Sequence, residues 1–355
     1  MSLIAIDGAG PLGEGQGLRA ALTLAAATGR GFQVTRIRAG EPRTGLTPTQ
    51  VTAVRALALA CGARTSGAFD GSPDLRFEPG LVAAGEFSFD IVGTASATPV
   101  LQAMVVALAT AREASRVTVT GGTHVAGSPS FHYLAGPWAA SVARLGFVVK
   151  LELVRAGFAP AGGGQIVATV EPRRPVDAPL AFDERGELLG VRGLSIEARA
   201  RVPAADRQRA AAAERLWESR RMEAKWETGT VPSDSPGAAM LLQATFEHGC
   251  AGFGLLAERG VRAEALGDRA ARLLLKLLDG SAAVDSHLAD QLAVPLAVAG
   301  CGGRIATPSV SRQLAAVTAV LGLFGFDARL SGREGAPGVL EVAAGLPATA
   351  EEATP

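Results

Sequence analysis

The sequence predicts an α+β protein in which sheets and helices pack in layers. It is built from a β-α-β-α-β-β unit that recurs along the chain around a smaller inserted α+β domain. Three observations carry this expectation. Short strand-like runs alternate with longer helical runs, completely twice before residue 171 and in part again after residue 281. Pro172, Pro175 and Pro179 interrupt the pattern, and prolines at that density mark a linker. Beyond them, as far as about residue 278, the chain is richer in charge. A length of 355 residues is enough for two domains. The expected boundaries are 1–178 for repeats one and two, 179–278 for the insert, 279–345 for repeat three and 346–355 for a loose tail.

Taken in order, 3–6 reads as a strand and 15–27 as a helix, followed by a strand at 32–37 and a helix at 47–60. Two short strands between 64 and 77 complete the first unit. The second unit has strands at 86–92 and 116–120, helices at 99–109 and 131–145, and strands at 147–153 and 164–170. The third, partial unit has helices at 288–299 and 309–323 and strands at 303–306, 326–330 and 339–342. Inside the insert, 203–224 reads as a long amphipathic helix carrying Arg207, Arg209, Arg215, Arg220 and Arg221. A helix bearing both arginine and glutamate is expected to be a solvated face rather than an RNA-binding one.

Composition excludes several function classes. Basic and acidic residues balance at 34 each, so polyanion binding through a uniformly basic surface is not expected. Lys150, Lys225 and Lys276 are the only lysines, and none sits in a KxDG setting, which removes lysine-based nucleotidyl transfer. There is no GxxxxGK[ST] loop, so a P-loop fold is out. Cys61, Cys250 and Cys301 have no paired spacing; they point to a reducing, cytoplasmic setting and away from a zinc site. The histidines His124, His132, His248 and His287 form no HxxxH pattern. The longest apolar runs, 101–111 and 314–326, fall short of the roughly 20 residues of a membrane span. No secretory signal is expected at the N-terminus.

Five stretches carry candidate chemistry. DGAGPLGEGQGLR at 7–19 leads from a strand through a glycine-rich turn into a helix, with Arg19 on the early turns. Such a turn lets backbone approach an anion, or is simply a structural turn. IRAGEPRTGL at 37–46 places Arg38 and Arg43 around a tight turn, either to grip phosphate oxygens or as a solvated loop. GGTH at 121–124 offers His124 as a general base or a structural histidine. GFAPAGGG at 157–164 implies close backbone approach, to a ligand or between repeats. HLADQ at 287–291 opens a helix, whose free N–H groups favour an anion. By local pattern alone, Asp285 and Ser286 are caps and Asp290 faces water.

Together with Gln102, these stretches resemble the RNA 3'-terminal phosphate cyclase family over nearly the whole core, at matching order and spacing. The resemblance implies three β-α-β-α-β-β repeats, as in those cyclases and the related enolpyruvyl transferases, with an insert of thioredoxin-like topology. It implies a ligase acting on RNA 3' ends with ATP and a divalent metal, Mg2+ or Mn2+, through a histidine–AMP adduct, giving a 2',3'-cyclic phosphate. Gln102, His287, Leu288, Ala289, Asp290 and Gln291 would line the ATP site. Arg19, Arg38 and Arg43 would hold phosphates, and Glu14 would bind the metal. No membrane or DNA partner is implied, and the oligomeric state is open.

Two departures stand out. The family's nucleophilic histidine falls on Ser311, or on Arg312 with a slip of one, and no histidine follows His287. The family's metal-binding glutamate falls on Leu12, two residues before Glu14. Three readings stay open: an active cyclase with a displaced nucleophile, His287 first and His124 next; a non-catalytic relative, or pseudoenzyme, binding RNA ends or a ribonucleoprotein partner; and another transferase on the same repeat.

Overall fold

The computed structural model describes residues 3–91, 93, 95–200 and 202–346. Apart from Leu346, the tail expected at 346–355 lies outside them. The first repeat runs β1 (Ile4–Asp7), α1 (Gly15–Thr28), β2 (Phe32–Thr35), α2 (Pro48–Cys61), β3 (Arg64–Ser66) and β4 (Leu75–Glu78). Its sheet has the order β1-β2-β4-β3, parallel in the first pair and antiparallel in the others. The second repeat comprises β5 (Glu86–Asp90), α3 (Thr98–Leu108) and β6 (Ser115–Gly121). Then α4 (Phe131–Tyr133) passes through a wide π-turn at Leu134–Trp138, which contains Pro137, into α5 (Ala139–Arg144). β7 (Val149–Arg155) and β8 (Gly164–Val170) close it in the order β5-β6-β8-β7, with the same pattern of directions.

The third repeat corrects an expectation. It is complete, because β9 (Leu180–Phe182) pairs in parallel with a strand more than 100 residues later. The insert therefore sits inside this repeat, between its first strand and first helix. It comprises β10 (Leu188–Ala198), α6 (Ala205–Arg220), β11 (Lys225–Thr230), β12 (Gly237–Phe246), β13 (Cys250–Leu256) and α7 (Ala263–Asp279). The core resumes with α8 (Ser286–Ala299), β14 (Gly303–Thr307), α9 (Arg312–Leu323), β15 (Ala328–Ser331) and β16 (Gly338–Val342). Strand order β9-β14-β16-β15 repeats the topology of the other two sheets. A three-residue strand among prolines carries too little periodicity to be read from sequence.

Helix-forming sequence and packing agree in the core. α2 begins with a capping box between Thr47 and Gln50, takes Pro48 in its first turn and ends on Gly62 in the left-handed conformation. α1 packs on α2, α3, α8 and α9, so Leu18 through Ala26 is buried apart from Arg19. That is why its apolar residues are not confined to one stripe. β2 and β6 instead alternate buried and more exposed residues, as strands with one face on a core do. One apolar cluster joins all three repeats. The insert has its own, including Leu216, Leu242 and Leu274. On its surface Arg207, Arg215 and Arg220 of α6 pair with Glu264, Asp268 and Asp279 of α7, the solvated, ion-paired face expected of that helix.

Asp285 ties the core to the insert. Its buried carboxylate caps α8 by accepting from the N–H groups of His287 and Leu288, both at 3.0 Å. It also accepts from Tyr133 Oη at 2.9 Å and from the Gly252 N–H of β13 at 3.0 Å. Burial pushes its pKa up although these donors oppose the shift.

Candidate functional site

A cleft of about 520 Å³ opens where four helices begin. Its walls come from the first turns of α1 (Glu14, Gly15, Gln16, Arg19), α2 (Thr47, Thr49, Gln50), α3 (Ser96, Pro99, Val100) and α9 (Arg312, Gln313), with Val125, Gly127, Ser128 and Pro129 closing one side. Helix N-termini carry partial positive charge and unpaired N–H groups. Those of α1 and α3 have no side-chain cap, since Glu14 points elsewhere and Ala97 cannot accept. Their first-turn amides have no side-chain cap partner. Among the described residues, the charged side chains lining the cleft are Arg19, Arg312 and Glu14.

The glycine turn before α1 divides into two roles. A Cβ on Gly13 would lie 2.2 Å from the Gly8 carbonyl oxygen, whereas one on Gly15 would meet nothing within 4 Å. Gly13 serves internal packing; Gly15 presents open backbone to the cleft. Gly13→Ala is expected to lower stability by about 1–3 kcal/mol, the usual cost of overpacking. Gly15→Ala should keep or raise stability, by about 0.5–1 kcal/mol in a helix, while adding a methyl to the cleft floor. Urea midpoints of the two variants check this.

Arg19 bridges the cleft to a smaller cavity of about 30 Å³, where it meets Gln102, Asp290, Gln291 and Trp138. Its guanidinium donates to Gln16 and forms no ion pair among the described residues. Enclosure pulls its pKa down to about 10, with the charge of Asp290 opposing the shift, so it stays a cation at neutral pH. Asp290 does not face water as local pattern suggested; it is 5% exposed. Burial raises its carboxyl to about 6, against the hydrogen bond from Ser311 and the charges of His287 and Arg19. Ser311 donates to Asp290 Oδ1 at 2.6 Å and accepts from the Leu314 N–H at 2.9 Å, so it is both the cap of α9 and an oriented hydroxyl. Gln102 donates to Gln291 across the α3–α8 seam.

The other sequence candidates separate. Leu288 and Ala289 are wholly buried in the core, and His287 is exposed on the first turn of α8. Arg38, whose φ is 54°, reaches the Gly45 carbonyl at 3.4 Å, and Arg43 is exposed; neither lines the cleft. Arg312, which sequence reasoning weighed only as an alignment slip, lines it and bonds Glu14 at 2.9 Å. A second cavity, of about 730 Å³, flanks the start of α8 between the insert and the third sheet. Phe253, Leu273 and Leu277 give it apolar walls, and Thr307 to Ser309 of the turn before α9 form its floor.

Glu14 tests the fit of a divalent cation. Among the described residues it is the lone carboxylate lining the cleft, and it is already bonded by Arg312. Among the described residues no group of three His, Cys, Asp or Glu could hold a metal ion. These residues do not fit a cation held by the chain itself.

His124 belongs to a different structure. Its Nε2 lies 2.9 Å from His132 Nδ1, its Nδ1 lies 2.8 Å from Thr123 Oγ1, and its ring stacks on Phe158 at 4.7 Å. Phe158 in turn packs on Ile196, Ala198 and Ala239 of the insert. The GGTH and GFAPAGGG motifs thus pack on each other at this junction, where the Thr123 hydroxyl accepts from Gly157 N–H. Burial holds both histidines below the ordinary value. The unfolded chain takes up protons at about pH 6.5 and the folded one does not. Stability is therefore full above that pH and falls as pH drops below it, by up to ~1.4 kcal/mol per pH unit for each histidine. Thermal midpoints at pH 7 and pH 5 should show a smaller drop for His132→Gln than for the unaltered protein.

A family model described as RNA 3'-terminal phosphate cyclase matches residues 12–327. Similar proteins that bear that name include one from Pseudomonas fluorescens, 38% identical over 96% of this chain and 97% of its own length. One from Ralstonia nicotianae is 40% identical over 88% of this chain and 90% of its own length. One from Salmonella enteritidis is 37% identical over 84% and 87%.

Proposed function

Because this chain belongs to the RNA 3'-terminal phosphate cyclase family, we propose that its cleft receives the terminal phosphate of an RNA 3' end, with ATP as the second ligand. The observation that carries this reading is the convergence of four helix N-termini and Arg19 on one cavity. A phosphate there would accept from backbone N–H groups and from a guanidinium shielded from bulk water, the strongest class of phosphate contact. The apolar cavity beside α8 has the walls a purine base needs. Three buried, unpaired cysteines fit a cytoplasmic setting. No helix among the described residues is long and apolar enough to cross a membrane.

The chemistry of position 311 favours a non-catalytic role for the native chain. Adenylyl transfer needs a nucleophile that attacks phosphorus at neutral pH. A neutral imidazole nitrogen has a free lone pair; a serine hydroxyl must first lose its proton. Asp290 orients the Ser311 hydroxyl but, as a carboxylate, is too weak a base to ionise it. Among the described residues no histidine lines the cleft or the cavity beside α8.

Fluorescence anisotropy with RNA of one sequence ending in 3'-phosphate or 3'-hydroxyl tests the binding reading. A preference of at least tenfold for the phosphate, about 1.4 kcal/mol, is expected, and Arg19→Gln should abolish it. Equal affinity for the two ends would overturn the assignment.

A further inference from the structure

Resting on the phosphate reading of the cleft, we infer that Arg312 takes the place a divalent cation would occupy at Glu14, so that terminal-phosphate binding in this chain is independent of metal. Three observations carry it. Glu14 stands on the rim of an anion-favouring cavity, where an uncompensated carboxylate would repel a phosphate. Arg312, on the first turn of α9, bonds that carboxylate through Nη2 at 2.9 Å. The other cation of the cleft, Arg19, lies deeper and is turned toward Gln16 and Asp290, so it does not neutralise Glu14. A metal bound by Glu14 would have to displace Arg312 and would find no second acidic ligand on the cleft wall.

The ion pair is half exposed on the arginine side, and such pairs hold together weakly. That freedom lets Arg312 keep one N–H on Glu14 while its remaining N–H groups turn to the phosphate. A guanidinium has five donors, enough to serve two acceptors at once. The role is positioning and charge compensation.

Two arms test this on the full chain. In the first, Mn2+ alone is titrated and free ion is read by electron paramagnetic resonance. The unaltered protein and Glu14→Gln are expected to take up the same amount of Mn2+, because Glu14 alone does not hold the ion. Mn2+ uptake that Glu14→Gln lowers in the otherwise unaltered protein overturns the inference. In the second, binding of 3'-phosphorylated RNA is compared in EDTA and in Mg2+. The unaltered protein should change less than twofold; Arg312→Leu should weaken at least tenfold in EDTA and recover in Mg2+. A tenfold loss on metal removal in the unaltered protein overturns it. If the Mn2+ arm behaves as expected but 3'-phosphate and 3'-hydroxyl RNA bind alike, the phosphate reading fails while the Arg312–Glu14 assignment stands.

Discussion

Ser311→His is expected to change the protein from one that binds ATP without a covalent product to one that carries AMP on the new side chain. The hydroxyl of Ser311 sits at the start of α9, one turn-length past the β14 strand end, and is held by Asp290 at 2.6 Å. An imidazole built there would have the same carboxylate to fix its tautomer, leaving the other ring nitrogen as nucleophile. Intact-mass measurement after incubation with ATP and magnesium should show no adduct on the native chain and one AMP on the variant, with pyrophosphate released; added 3'-phosphorylated RNA should take the AMP onto its terminal phosphate, from which the 2'-hydroxyl displaces it as free AMP to close the 2',3'-cyclic phosphate. An adduct on the native chain would mean that another residue serves. His287→Ala, followed by His124→Ala, would then identify it, although the burial of His124 at the insert junction argues against a role for it.

Asp285→Ala carries the largest expected effect on stability. The change removes the cap of α8 and leaves the Tyr133 hydroxyl and the Gly252 N–H without their acceptor in a buried site. Losing one partner of a buried network costs about 3–5 kcal/mol, which is a large share of an ordinary domain's stability. Asp285→Asn should cost less, since an amide oxygen still caps and accepts. Urea unfolding of both variants gives the comparison; a loss under about 1 kcal/mol for Asp285→Ala would show that the three elements hold together without this residue.

Much of this architecture could be read from the residues. The repeated unit showed itself through helix-period and strand-period runs, and the cap at Asp285 through its position just before an apolar helix. What escaped was tertiary. Asp290 sits on a helix with the spacing of a solvated residue, and it is the tertiary packing, with Ser311 arriving from 21 residues away and Arg19 and Gln102 beside it, that encloses it. Leu180–Phe182 is a strand because β14 offers it an edge, not because its own pattern requires one. Arg19 and Arg312 share a cleft through the packing of α1 on α9, whereas Arg38 and Arg43, more prominent as a motif, remain on a neighbouring loop. No spacing rule links residues 19 and 312, so their meeting could not be foreseen from one sequence.

The most direct measurement is a crystal structure of the protein with a short RNA ending in 3'-phosphate. The terminal phosphate is expected at the first turns of α1 and α3, within hydrogen-bond distance of Arg19, with Arg312 still on Glu14. A phosphate bound instead at the loop of Arg38 and Arg43, or on the insert, would contradict it.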